Sequence, residues 1–152
     1  MMKDNFYTQS ELETEQFASE FASTVETGTI IALHGNLGAG KTVFSRGFAR
    51  GLNIMEPISS PTFTIIQEYP LENNNWLYHL DLYRITDSEA ALAFGLDEYL
   101  EDDNSVMLIE WSERIPELLP PDTKHIYILH KDETSREIII RDEYDPSLLK
   151  LD

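Results

Sequence analysis

The sequence predicts an α/β fold built on one mixed sheet. Short apolar runs that suit strands buried on both faces alternate with stretches of helical periodicity. Two further pairs of strand-like segments are joined by connections too short to hold a crossover helix, so each pair should run antiparallel. At 152 residues the chain is long enough for one domain with a core and too short for two comfortable ones.

The elements follow in order. From Ser10 to about Val25, Phe17, Ala18, Phe21, Ala22 and Val25 recur at three- and four-residue steps, which predicts an amphipathic helix ended by Gly28. Thr29 to His34 is a continuous apolar run and reads as a doubly buried strand, and Lys41 to about Leu52 reads as a helix. Thr62 to Tyr69 and Trp76 to Tyr83 are rich in β-formers and flank the turn-like PLENNN. Ser88 to Leu100 is expected to be helical and Ser105 to Glu110 a further buried strand. His125 to His130 and Glu137 to Arg141 form a second hairpin across KDETS, and the tail from 143 to 152 is expected to fray. There is no internal repeat or low-complexity block, so residues 1–152 read as a single domain.

Composition narrows the function. Eleven basic against 28 acidic residues leave a net charge of −17, which opposes direct binding of nucleic acid and points to a small ligand or a basic partner. The absence of cysteine excludes disulfides, thiolate metal sites and a cysteine nucleophile. No apolar stretch approaches the roughly 18 residues that cross a bilayer, and MMKDNFYTQS lacks the apolar core of a secretory signal. A cytoplasmic protein with no membrane contact is expected.

The most informative segment is HGNLGAGKT, residues 34–42, set between a predicted strand and a predicted helix. Gly35, Gly40, Lys41 and Thr42 match G-x-x-x-x-G-K-[ST]. Glycines let successive backbone N–H groups curl around phosphate oxygens, and the N-terminal end of the next helix adds positive potential. Lys41 is expected to reach the β- and γ-phosphates, and Thr42 to offer its hydroxyl to magnesium. The expected architecture is therefore a three-layer sandwich of the P-loop NTPase type, with a parallel core and antiparallel hairpins.

Such a loop needs a carboxylate near the metal. WLYHLD ends in Asp81 and VMLIE in Glu110, each an acid closing an apolar strand where the phosphates should lie. Either could hold magnesium through water while the other orients the attacking water.

GNLGAGKT, SPTFT at Ser60 to Thr64, HLDLYR at His79 to Arg84 and IEW at Ile109 to Trp111 occur in the order and spacing of one family. From about Glu11 to Arg136 the chain resembles the bacterial tRNA threonylcarbamoyladenosine biosynthesis ATPases, the TsaE (YjeE) family. The resemblance implies a magnesium-dependent ATPase working with a threonylcarbamoyl-transfer heterodimer of TsaD and TsaB type proteins. That pair modifies the adenosine next to the anticodon, so tRNA would be met only indirectly. It further implies that ATP lies against Gly35, Leu37, Gly38, Ala39, Gly40, Lys41 and Thr42, and that Thr42, Glu110 and Asp81 attend the metal. Lys41, Asp81 and Glu110 would form the catalytic set. Trp111 would lie near the nucleotide or partner, Glu11 and Thr14 near the base, Ser135 and Arg136 in a hairpin turn near the nucleotide, and Thr62 in a loop that senses the γ-phosphate. Asn36 stands where the family usually has Asp, and Ser112 where it usually has Pro; neither change removes a phosphate or metal ligand.

His34, His79, His125 and His130 show no metal-ligand spacing, and the pair in HIYILH faces opposite sides of a strand. Trp76 and the tyrosines suit core and rim better than a base-stacking platform. Arg84 and Arg114 are candidates to neutralise transition-state charge. Two other functions share the phosphate loop. A small-molecule kinase would use Asp81 as base and Arg84 on the transferred group, but would want successive crossovers and a basic lid. A nucleotide-dependent interaction protein would bind without essential turnover. A GTPase would need D-x-x-G and N-K-x-D, and the chain has neither.

Overall fold

A computed structural model describes residues 4–36 and 38–151. Its elements are β1 (Asp4–Thr8), α1 (Glu11–Ala22), β2 (Ile30–His34), α2 (Lys41–Gly51), β3 (Ile66–Pro70), β4 (Trp76–Asp81), α3 (Ser88–Phe94), α4 (Leu96–Leu100), β5 (Ser105–Glu110), β6 (Lys124–His130) and β7 (Arg136–Arg141). The strands form one seven-stranded sheet in the order β1-β7-β6-β2-β5-β4-β3. Strands β6, β2, β5 and β4 are parallel neighbours, while β3 pairs antiparallel with β4, and β7 antiparallel with both β6 and β1. The mixed α/β sheet is thus the expected one, with both hairpins in place.

Period-two alternation gives the sheet two apolar faces. Ile31, Leu33, Val106, Leu108, Ile126 and Ile128 pack with Phe44 and Phe48 of α2 and Ala18 and Ala22 of α1. The intervening residues Ile30, Leu80, Met107 and Ile109 pack with Ala91 and Leu96 on the other side. The middle layer is therefore buried twice over, which explains its nearly unbroken apolar strands. Among the described residues, no helix is long and apolar enough to cross a membrane.

Local signals place the helices. Ser10 Oγ accepts from the Glu13 N–H at 3.1 Å to cap α1, and Glu13 Oε1 accepts from the Gln9 N–H at 2.9 Å. Helices α1 and α2 then meet almost backbone to backbone: a Cβ on Gly47 would lie 2.3 Å from the Glu15 carbonyl oxygen, and one on Gly51 2.2 Å from that of Ser19. Glu15 closes the contact by pairing with Arg46 at 3.0 Å and Arg50 at 3.1 Å.

Three expectations are corrected and one strand is added. Strand β1 was not anticipated, because three of the five residues of this edge strand are exposed and carry no apolar pattern. The helix expected from Ser88 to Leu100 is two helices, divided where Gly95 adopts φ 95°. Strand β3 starts at Ile66 rather than Thr62, after a turn closed by the Ile65 N–H donating to the Pro61 carbonyl at 2.7 Å, with Ile65 itself at φ 69°. The segment expected to fray instead forms a 3-10 turn at Pro146–Leu151, and Leu148 and Leu149 pack on Tyr127, Leu129 and Ile139.

Candidate nucleotide site

The glycine-rich bend leaves β2 at the C-terminal end of the parallel strands, the edge where open α/β sheets bind ligands. Gly38 at φ 81° and Gly40 at φ 106° take left-handed conformations that a side chain would resist. Gly35 is confined by space instead: a Cβ there would come 2.9 Å from the Ile128 carbonyl oxygen. Ala39 N–H closes the bend onto the Asn36 carbonyl at 2.9 Å, and Phe44 N–H onto that of Gly40 at 3.0 Å starts α2. The free N–H groups of the first turn of α2 thus stand at the loop, beside Lys41 and Thr42. Leu37 lies outside the described residues.

A cavity of about 690 Å³ opens over this loop, within the size range of small-molecule sites. Gly38, Ala39, Gly40, Lys41 and Thr42 line it together with Asp81, Glu110, Trp111, Glu11, Thr14, Thr62 and Arg136. The two acids are register partners across β4 and β5. Asp81 is 6% exposed; its Oδ1 accepts from the Tyr83 N–H at 2.9 Å and its Oδ2 from the Thr62 hydroxyl at 3.1 Å. Glu110 Oε2 accepts from His79 Nε2 at 3.0 Å, while its Oε1 lies 4.0 Å from Lys41 Nζ. Lys41 Nζ also stands 5.5 Å from the centre of the Trp111 ring, and Trp111 takes φ 63° to turn there.

The hairpin turn between β6 and β7 closes the far side. Arg136 donates through Nε to the Ala39 carbonyl at 2.7 Å and lies 3.4 Å from that of Gly38 through a terminal nitrogen. Its other terminal nitrogen donates to the carbonyls of Asp132 and Ser135 at 2.8 and 2.9 Å. Asp132 shapes the turn by accepting from the backbone N–H groups of Thr134 and Ser135, bonds that hold its carboxyl below the usual carboxylate range. Ser135 does not line the cavity; its hydroxyl donates to Gln9 at 3.0 Å, and its neighbour Thr134 lines the wall instead. Thr14 lies on the wall with its hydroxyl 2.6 Å from that of Thr8. Gly35 sits behind the loop, on a second cavity of about 220 Å³ shared with His34, Lys41, Trp111 and Leu149.

Behind the loop, His34 and His125 are stacked and joined Nε2 to Nδ1 at 2.9 Å, with Tyr127 and Tyr144 beside them. Burial lowers both imidazoles, His34 to about 3, with the charges of His125 and Lys41 adding to the effect. The two arginine candidates stand on aromatic rings outside the cavity wall. Arg84 lies 4.7 Å from the Phe63 ring centre, and Arg114 lies 5.2 and 5.7 Å from those of Trp111 and Tyr83. Val43, Ser60, Tyr83 and Thr134 line the cavity and were not among the sequence candidates. Ser60, Tyr83 and His79 do fall inside SPTFT and HLDLYR, so those motifs held the signal.

The donor chemistry fits a magnesium nucleotide. A helix N-terminus, a lysine and a glycine bend suit phosphate, and one hydroxyl with two carboxylates is a hard oxygen set. No cluster of three or more His, Asp or Glu stands ready to hold a metal by itself among the described residues. Magnesium is usually held by one or two carboxylates together with phosphate oxygens, so the sparse set suits it.

A parallel strand that bends through glycines into a helix, with paired acids on the neighbouring strand ends, defines an α/β protein of the P-loop type. This chain belongs to the TsaE family. The family model described as "Threonylcarbamoyl adenosine biosynthesis protein TsaE" matches residues 8–138. The chain is 44% identical over 126 residues to the tRNA threonylcarbamoyladenosine biosynthesis protein TsaE of Bacillus subtilis, covering 83% of this chain and 77% of that one. It is 37% identical over 147 residues to the TsaE of Rickettsia bellii, covering 95% and 99%. The crystal structure of YdiB from Bacillus subtilis superposes with a TM-score of 0.76 at 37% identity, covering 91% of this chain and 84% of that one.

Proposed function

We propose that the protein is a magnesium-dependent ATPase serving threonylcarbamoyladenosine formation in tRNA, at the adenosine next to the anticodon. It would act with a threonylcarbamoyl-transfer heterodimer of TsaD and TsaB type proteins. One observation supports this most: Lys41, Thr42, Asp81 and Glu110 line a single cavity at the C-terminal edge of the parallel strands. Their residue types suit phosphate, metal and proton handling, and membership of the TsaE family supplies the pathway.

In this reading the N–H groups at the start of α2 and Lys41 hold the phosphates. Thr42 and Glu110 would hold magnesium, which when bound supplies positive charge to phosphoryl oxygens, while Asp81 acts mainly in catalysis. The Asp81 carboxylate, fixed at both oxygens by Thr62 and the Tyr83 N–H, orients the attacking water. Thr62 thereby ties the Ser60–Thr64 loop to the reacting end. Arg136 keeps the loop carbonyls turned away from the phosphates by engaging them itself. The net charge of −17 leaves tRNA to the partners, and the same reading puts the protein in the cytoplasm.

The test is ATP turnover, read as released phosphate, by the protein alone, with the heterodimer, and with the heterodimer plus tRNA. Slow turnover alone that rises with the partners is expected. Turnover indifferent to them, or tight tRNA binding by the isolated protein, contradicts the reading.

A further inference from the structure

His79 is 3% exposed and lies two residues before Asp81 on β4. Period-two alternation therefore puts both side chains on the sheet face that carries α2 and the loop. Glu110, the register partner of Asp81 on β5, comes within 3.0 Å of His79, Nε2 to Oε2. A carboxylate has no proton to give, so the imidazole donates from Nε2–H. The carboxylate's other oxygen, Oε1, is the one directed toward Lys41. The terminal torsion of a glutamate is broad and two-fold, and a free carboxylate would sample it. The bond to His79 removes that choice.

We propose that His79 is the positioning residue for Glu110: it ties Oε2 and so presents Oε1 as the oxygen that faces a nucleotide-bound divalent cation. The assignment rests on the magnesium-nucleotide reading above. Hydrogen-bonded partners of metal ligands characteristically set ligand orientation, and their loss weakens metal binding by about 10- to 100-fold. The α2 phosphate cradle does not depend on this bond, so nucleotide affinity without metal is separable from metal affinity.

The experiment measures Mn²⁺ affinity in the presence of ATP by electron paramagnetic resonance, alongside ATP affinity without metal. It compares the full-length protein with His79→Leu and His79→Gln. Expected are a roughly 10- to 100-fold loss of Mn²⁺ affinity in His79→Leu with metal-free ATP affinity retained, and recovery in His79→Gln, whose amide restores a donor at the Nε2 position. Wild-type Mn²⁺ affinity in His79→Leu, or no recovery in His79→Gln, overturns the assignment. Should the leucine variant fail to fold, nitrogen-15 NMR of wild-type histidines decides: an Nε2–H tautomer at His79 supports the assignment and an Nδ1–H tautomer overturns it. Absence of metal-dependent nucleotide binding in the wild type would overturn the nucleotide reading itself, with the tautomer still reporting on the His79–Glu110 bond.

Discussion

Arg136 Nε donates to the Ala39 carbonyl at 2.7 Å, across 97 residues of sequence, and fastens the β6–β7 turn to the glycine loop. A lysine here cannot reproduce the planar fork that also reaches the Asp132 and Ser135 carbonyls. Arg136→Lys should weaken ATP binding by roughly 10-fold, the loss of one charge-assisted hydrogen bond. Fluorescent-nucleotide titration measures it, and an unchanged Kd would show that the loop holds its own shape.

Lys41→Ala should lower Mg-ATP affinity by one to two orders of magnitude, since bonds to charged groups contribute about 1.5–3 kcal/mol. The fold should survive because the Lys41 side chain lines the cavity and is not among the buried core residues. Calorimetric titration of a variant with native circular dichroism checks both halves.

The two acids should separate. Glu110→Ala should weaken the metal dependence of nucleotide binding. Asp81→Asn, which keeps an acceptor for the Tyr83 N–H, should leave binding and lower turnover by roughly 10²- to 10⁴-fold. Identical effects on both quantities would mean that the roles are shared.

The imidazole behind the loop sets a pH dependence. In the folded chain His34 stays neutral down to about pH 3, whereas the unfolded chain takes up this proton near the ordinary value of 6.5. Between those values the unfolded state binds more protons, so stability is fully present above about 6.5 and is lost as pH falls toward 3. Each pH unit in that window removes up to ~1.4 kcal/mol. Urea unfolding at stepped pH should show a shallower slope in His34→Phe than in the wild type, by about one proton; equal slopes would refute it.

Gly47→Ala should destabilise despite alanine's better helix propensity. The new methyl would lie 2.3 Å from the Glu15 carbonyl oxygen, and relieving such overpacking costs about 1–3 kcal/mol against a propensity gain of about 1. A lower thermal midpoint is expected, together with weaker ATP binding, because α1 carries Glu11 and Thr14 into the cavity wall.

What was legible in the sequence was what the chain holds contiguously. The loop from Gly35 to Thr42 and the acids at two strand ends could be read because motif and periodicity are local, and the parallel pairing of β4 and β5 then brings Asp81 and Glu110 together. Arg136 on Ala39 and His34 on His125 depend on registers between strands far apart in sequence, which residue types alone do not specify. The resemblance put Arg136 near the nucleotide, but not its grip on the loop carbonyls. Strand β1 escaped notice because an exposed edge needs no apolar alternation. Gly95 was absorbed into a helical pattern because one glycine changes periodicity little while its positive φ breaks the axis.

Pairing β1 with β7 joins residues 4–8 to residues 136–140. On a ribosome, β1 must therefore wait for β7 before it finds its neighbour, a closure of very long range and correspondingly slow. Until residue 136 emerges, the loop lacks its clamp and Thr8 lacks its sheet partner. A nascent or prematurely stopped chain would carry the glycine motif without the closed cavity around it. On the proposed reading, nucleotide capture would await the second hairpin.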